Sequence, residues 1–135
     1  MQISIVPPEH VIALWHKVEP HLKEAFDLIK DTHRPLHVQA RLLAGDYHLW
    51  VVHDGQEVKA ATVGYVTHYP LCKTYFVFLI GSVAGEGKEW FPKLNEALDA
   101  YARMLGCAKM EGRMRRGWAR VAGYQEVGSI LQKDL

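Results

Sequence analysis

The chain has 135 residues, enough for one domain and a core that removes roughly two-thirds of the unfolded surface from water. At 49% hydrophobic and 23% charged residues, its composition is that of an ordinary soluble globule. The 16 basic and 15 acidic residues leave a formal charge of +1, which argues against whole-molecule attraction to nucleic acid. Two cysteines, Cys72 and Cys107, lie far apart and form neither a metal motif nor a disulfide framework. They are expected as reduced thiols in a cytosolic compartment. No apolar run reaches the ~20 residues of a bilayer span. Met1 to Val6 lacks a basic leader and meets Pro7-Pro8, so no signal peptide is expected.

In chain order, Ile3 and Ile5 alternate with polar residues and suit a half-buried strand. Val11, Leu14, Trp15 and Val18 predict a helix over about 8–18. Pro20 then suits the first turn of a second helix carrying Leu22, Ala25, Phe26 and Ile29. Pro35 starts a third short helix, closed by Gly45 as a left-handed cap. Strands over 47–53 and 57–68 flank Asp54-Gly55, a hairpin signal. Gly64 inside the second strand hints at a bulge or a close backbone approach. The strand 74–81 is apolar on both faces and belongs in the middle of a layered fold.

A loop, Ser82-Val83-Ala84-Gly85-Glu86-Gly87, leads into a long amphipathic helix over 88–105, with Pro92 in its first turn and Gly106 at its end. A short strand over 107–112, an Arg-rich knuckle, a short helix over 118–122 and a closing strand after Gly123-Tyr124 complete the series. The order is β-α-α-(α)-β-β-β-α-β-α-β in a single domain, 1–135. Strand, glycine loop and helix together present a helix N-terminus to an anion.

This order of elements resembles the GNAT family of acetyl-CoA-dependent N-acetyltransferases over essentially the whole chain. The resemblance implies an α/β (α+β) fold: a mixed, mostly antiparallel sheet with a central parallel strand pair and helices on both faces. Gly117-Trp118-Ala119-Arg120 and the final Ile130-Leu131-Gln132-Lys133-Asp134-Leu135 are similar to small GNAT-like proteins encoded by bacteriophages. That similarity implies two alternatives. One is an N-acetyltransferase acting on an unidentified small-molecule or protein amine. The other is a catalytically silent structural or accessory protein of a phage particle, with phage structural proteins or copies of itself as partners. The place implied is the host cytoplasm, or a virion.

The family holds the cofactor pyrophosphate on an Arg/Gln-x-x-Gly-x-Gly/Ala loop, where glycines let backbone N–H groups approach the phosphates. Matching by glycines puts Ser82 first and Gly85 and Gly87 at the small positions. Matching by the apolar helix face puts Glu86 first, with Glu89 and Phe91 where glycines belong, and that register is repulsive to an anion. The first register implies Ile80, Gly81, Ser82, Val83, Gly85, Glu86, Gly87 and Lys88 as the binding stretch for acetyl-CoA or another acyl-CoA. The family's acid tyrosine maps onto Ala119, and its asparagine onto a position near Gly112; neither residue type is present there.

Acyl transfer to nitrogen needs a base or water chain for the amine. Glu111, His68 and Tyr75 are the catalytic candidates by position, against the plainer expectation of a solvated carboxylate and a surface histidine. Arg113, Arg115, Arg116 and Arg120, with Trp118 beside them, form a patch for an anion or a partner. Local ion pairs to Glu111 or Glu126 are its plain alternative. Eight histidines raise the question of a metal, and His33 and His37 have i, i+4 spacing. Yet His33 precedes Pro35 and no acidic or cysteine partner stands at ligand spacing, so no metal is expected.

Overall fold

The computed structural model describes residues 1–83 and 87–135. In chain order the elements are β1 (Gln2–Val6), a 3-10 turn (Pro8–His10), α1 (Val11–Leu28), α2 (Pro35–Ala44) and β2 (Tyr47–His53). Next come β3 (Val58–His68), β4 (Lys73–Gly81), α3 (Gly87–Met104), β5 (Lys109–Gly112) and α4 (Arg116–Ala122). The strands form one mixed sheet in the order β1-β2-β3-β4-β5. Neighbours from β1 to β4 pair antiparallel, while β4 and β5 pair parallel across the α3 crossover.

Helices cover both faces. On one, Trp15, Val18, Leu22 and Phe26 of α1 and Val38 and Leu42 of α2 pack on Leu49, Val51, Ala61, Val63, Phe78 and Leu79. On the other, Trp90, Phe91, Leu94 and Leu98 of α3 pack on Trp50, Val52, Ala60 and Val77. The double-sided burial expected of the 74–81 strand is present: Tyr75 and Val77 are buried with the α3 layer, Phe78 and Leu79 with the α1 layer.

Three sequence expectations are corrected. The two expected helices around Pro20 are one continuous helix, α1, with Pro20 inside it. Proline there removes one backbone bond and costs about 3 kcal/mol. The stripe Val11, Trp15, Val18, Leu22 and Phe26 is buried along the whole helix. At about 1.5–3 kcal/mol per large side chain, that burial outweighs the proline. Pro92 sits in the second turn of α3 rather than the first, since the helix begins at Gly87. The closing strand is not formed: residues 125–135 have no regular structure, and Val127 and Leu131 are each 91% exposed. A strand needs both a ladder and a covered face, and these side chains have no layer to enter. The parallel pair therefore stands at the end of the sheet.

Turn chemistry agrees with expectation. Gly45 caps α2 at φ 81°, and Gly55 turns the β2–β3 hairpin at φ 98°. In that hairpin Asp54 Oδ1 accepts from the N–H groups of Gln56 and Glu57 at 2.9 and 2.8 Å. His37, which the spacing paired with His33, instead accepts the Arg34 N–H on Nδ1 at 2.9 Å and caps α2.

Gly64 marks both a bulge and a close approach. The β3–β4 register passes from Val63↔Leu79 to Gly64↔Val77, leaving Phe78 as the extra residue. A Cβ on Gly64 would sit 2.8 Å from the Tyr75 ring. That ring runs beneath Gly64, where its hydroxyl meets Trp50 Nε1 at 3.1 Å and His48 Nδ1 at 3.0 Å. Gly64→Ala is expected to lower stability by about 1–3 kcal/mol through overpacking, measured by urea unfolding. An unchanged midpoint would show that the ring has room to move.

Candidate functional site

The parallel pair is short. β4 and β5 are in register from Thr74↔Lys109 to Val77↔Gly112, and the Arg113 N–H donates to the Val77 carbonyl at 3.3 Å. Beyond this point β5 has ended while β4 runs on to Gly81. The two chains diverge into a cavity of about 1290 Å³. One wall is Phe78 to Val83, the end of β4 and the two residues after it. The others are α1 (His21, Lys23, Glu24), the start of α3 (Gly87, Trp90, Phe91) and the knuckle with α4 (Arg113, Met114, Arg115, Trp118).

Small residues make this geometry. A Cβ on Gly81 would collide with the His21 carbonyl oxygen, so glycine allows β4 to touch α1. A Cβ on Gly112 would lie 2.6 Å from Met114 Cε and 3.1 Å from the Val77 oxygen, at the point where the strands part. A Cβ on Gly87 would approach Trp118 to 3.1 Å, where α3 and α4 meet.

Cations surround the opening. Arg113, Arg115 and Lys23 all line the cavity. Arg115 pairs with Glu24 at 3.2 Å, but both side chains are largely exposed, so the pair contributes little and exchanges readily. The knuckle divides. Arg116 turns to Glu126 at 3.5 Å, and Arg120 is not among the lining residues. Trp118 is half-buried, edge-on to Phe91 at 4.4 Å and 5.4 Å from Trp90. It builds the wall; it is not a free surface anchor. The buried Trp90 Nε1 has no hydrogen-bond partner among the described residues.

Of the expected cofactor stretch, Ile80, Gly81, Ser82, Val83 and Gly87 line the cavity. Ser82 Oγ donates to the Lys59 carbonyl at 2.6 Å, and the Val83 N–H donates to His21 Nδ1 at 3.1 Å. Gly85, Glu86 and the side chain of Lys88 lie outside the described residues. The catalytic candidates fall elsewhere than this lining. His68 is exposed at the end of β3. Tyr75 is buried in the α3 layer, and burial pushes its phenol well above the ordinary range. Glu111 projects from β5, its Oε1 accepting from Tyr69 Oη at 2.9 Å and Thr74 Oγ1 at 2.6 Å.

His21 was not foreseen. It stands one residue before the buried Leu22 on α1, and no spacing in the sequence marks it. Only the tertiary contact of α1 with β4 gives it a role. Burial holds its imidazole below the ordinary 6.5, against an opposing backbone hydrogen bond at Val58, with the Lys59 charge adding to the lowering. Neutral His21 is the form whose Nδ1 can accept from Val83.

No family model matches the chain, and no curated protein sequence matches it. Solved structures do. An aminoglycoside acetyltransferase from an uncultured soil metagenomic sample, in complex with sisomicin, superposes with a TM-score of 0.77 at 14% identity, covering 99% of this chain and 95% of that one. A ribosomal-protein-alanine N-acetyltransferase from Brucella melitensis biovar Abortus 2308 gives 0.72 at 13% identity, covering 99% and 100%. A protein from Clostridium acetobutylicum, described as a predicted acetyltransferase with acetyl-CoA, gives 0.68 at 11% identity, covering 98% and 95%. The chain has the GNAT fold. At these identities the likeness is one of fold, and the forked parallel pair of this GNAT scaffold is its chemically distinctive feature.

The histidines make a prediction about pH. His21 and His48 both have folded-state values lowered by burial. The native state therefore binds fewer protons than the unfolded chain. Their contribution is complete above the ordinary value of 6.5 and is lost as pH falls through the lower folded values. Tm is expected to fall between about pH 7.5 and 5. His21→Gln, whose amide oxygen still accepts from Val83, should show less of that fall. A wild-type Tm flat over this window would contradict the assignment.

Proposed function

We propose that the chain transfers an acyl group from an acyl-CoA, first of all acetyl-CoA, to the nitrogen of an amine. The observation that carries this is the fork: β4 and β5 pair for four residues and then part into a cavity edged with arginine. The donor set fits a long anionic ligand. Arg113, Arg115 and Lys23 offer charge to phosphates, and the N-terminus of the 18-residue α3 adds backbone donors and a favourable dipole. Phe78, Leu79, Trp90 and Phe91 supply apolar wall for a slender arm. An acyl-CoA held there supplies a thioester, whose acyl carbon bonds to the amine nitrogen while the carbon–sulfur bond breaks and the thiol leaves. The chain's own part is to orient that group along the edge of β4 beyond Val77, where the β5 ladder has ended, and to exclude water with the aromatic wall. The solved neighbour with acetyl-CoA supports this reading. So does the aminoglycoside acetyltransferase, as a precedent for an amine acceptor. The acyl-CoA pool implies a cytoplasmic location.

One observation favours a second reading. At the cavity α4 presents Trp118, and the next residue is Ala119. Neither can give a proton to a departing thiolate. A silent copy of this scaffold, serving as a structural or accessory component of a phage particle, accounts for that absence.

Calorimetry with acetyl-CoA separates the two. Micromolar binding is expected, weakened at least tenfold when Arg113 and Arg115 are both changed to Gln, about the weight of one or two charge-assisted hydrogen bonds. Affinity should also fall as salt rises. Absence of binding at millimolar acetyl-CoA would eliminate the transferase and leave the scaffold.

A further inference from the structure

The fork closes at Val77 and Arg113. On the α3 side of this point the sheet is sealed by buried Tyr75 and Val77, with Tyr101 and Met110 packed over them. On the α1 side it is half open, and a row of side chains crosses four strands in register there. Tyr47 of β2 faces Tyr65 of β3, Tyr65 faces Phe76 of β4, and Phe76 faces Glu111 of β5. The rings stack in sequence, Tyr47 on Tyr65 at 4.6 Å and Tyr65 on Phe76 at 5.3 Å. All four residues are half-buried. The row adjoins the cavity through Phe78, which lines it and meets Tyr47, Tyr65 and Phe76 edge-on or tilted.

Glu111 ends the row and is held in place. Tyr69 and Thr74 both donate to its Oε1, whereas its Oε2 makes no hydrogen bond and no ion pair among the described residues. Two cations stand two residues from Glu111 along the chain, Lys109 on the same face of β5 and Arg113, which lines the cavity; neither makes an ion pair within 4.0 Å among the described residues. A carboxylate fixed by two hydroxyls, beside a ring whose other face is already stacked, is complementary to an ammonium group. The stacked ring edges favour a flat apolar body lying across them, in edge-to-face contact.

We propose that this row is the acceptor shelf. It takes a primary ammonium compound with a flat apolar body, the head at Glu111 and the body across Phe76, Tyr65 and Tyr47. The shelf puts the nitrogen beside the closed end of the fork, where an acyl group carried down the cavity would arrive. As an acceptor site it rests on the transferase reading; as an ammonium site it does not.

The probes are 2-phenylethylamine and its neutral counterpart 2-phenylethanol, followed by saturation-transfer NMR without acetyl-CoA. The amine is expected to bind at least about tenfold more tightly than the alcohol, the weight of one charge-assisted hydrogen bond. Glu111→Gln should abolish that difference while leaving acetyl-CoA affinity unchanged. Equal binding of the two probes to the wild type, no binding of either, or an unchanged preference in Glu111→Gln would overturn the proposal. If Glu111→Gln does not fold, the amine–alcohol comparison on the wild type decides by itself. Amine preference without acetyl-CoA binding would remove the transferase reading and keep an ammonium site. Acetyl-CoA binding without amine preference would do the reverse.

Discussion

β4 must satisfy two cores at once. Among the described residues it is the only strand clamped between α1 and α3 while also pairing in opposite senses on its two edges. An unbroken pleat would place Phe78 and Leu79 on opposite faces. The bulge opposite Val63 and Gly64 lets both enter the α1 layer. A bulge bends its strand and sharpens the local twist, and it falls one residue past the last β5 partner, Val77. Strand bend and strand parting thus coincide. The cavity results from how β4 is packed and needs no separate device.

Glycine positions around that strand have a single rationale. Gly64 leaves space for the Tyr75 ring, Gly81 lets β4 meet the α1 backbone, and Gly112 allows Met114 to fold back at the fork. Each replaces a side chain by the close approach of another group. Removing any of the three gaps would press on β4 from a different direction. Tyr75 is the clearest case, since its hydroxyl is satisfied by Trp50 and His48 only if the ring passes beneath Gly64. A buried hydroxyl left unpaired costs roughly 1–3 kcal/mol, so the gap and the network stand together.

Charge is distributed with the same economy. The near-neutral chain concentrates Arg113, Arg115 and Lys23 at one opening. Three cations elsewhere are matched locally, Arg41 with Asp46, Lys59 with Glu57 and Arg116 with Glu126, as Arg115 is with Glu24 at the opening itself. Exposed pairs of this kind contribute little to stability. A cavity with low-dielectric walls, by contrast, focuses the field of the charges at its mouth. The acidic end of the aromatic row lies on the far side of the closing point, so the two signs are separated along β4 and β5.

Element type and order were legible in the sequence because they depend on local periods and turn residues. Asp54-Gly55, Gly45 and the stripe of α3 each act within a few positions of themselves. Pro20 misled because a local rule met a longer one: the buried stripe of α1 continues through it. The closing strand misled because alternation is only permission to pair, and no layer receives Val127 or Leu131. The cavity-lining positions from Ile80 to Val83 were within reach, since they follow from a strand leading toward a helix N-terminus. His21, the fork at Val77 and the row from Tyr47 to Glu111 were not. They join residues from strands and helices distant in sequence, and register decides which side chains become neighbours. Sequence alone determined the scaffold and the placing of a helix N-terminus after the fourth strand. Tertiary structure decided where the parallel strands part and which carboxylate stands at the closed end of the fork, because bulges and pairing registers are set by packing between layers and leave no periodic trace in the chain.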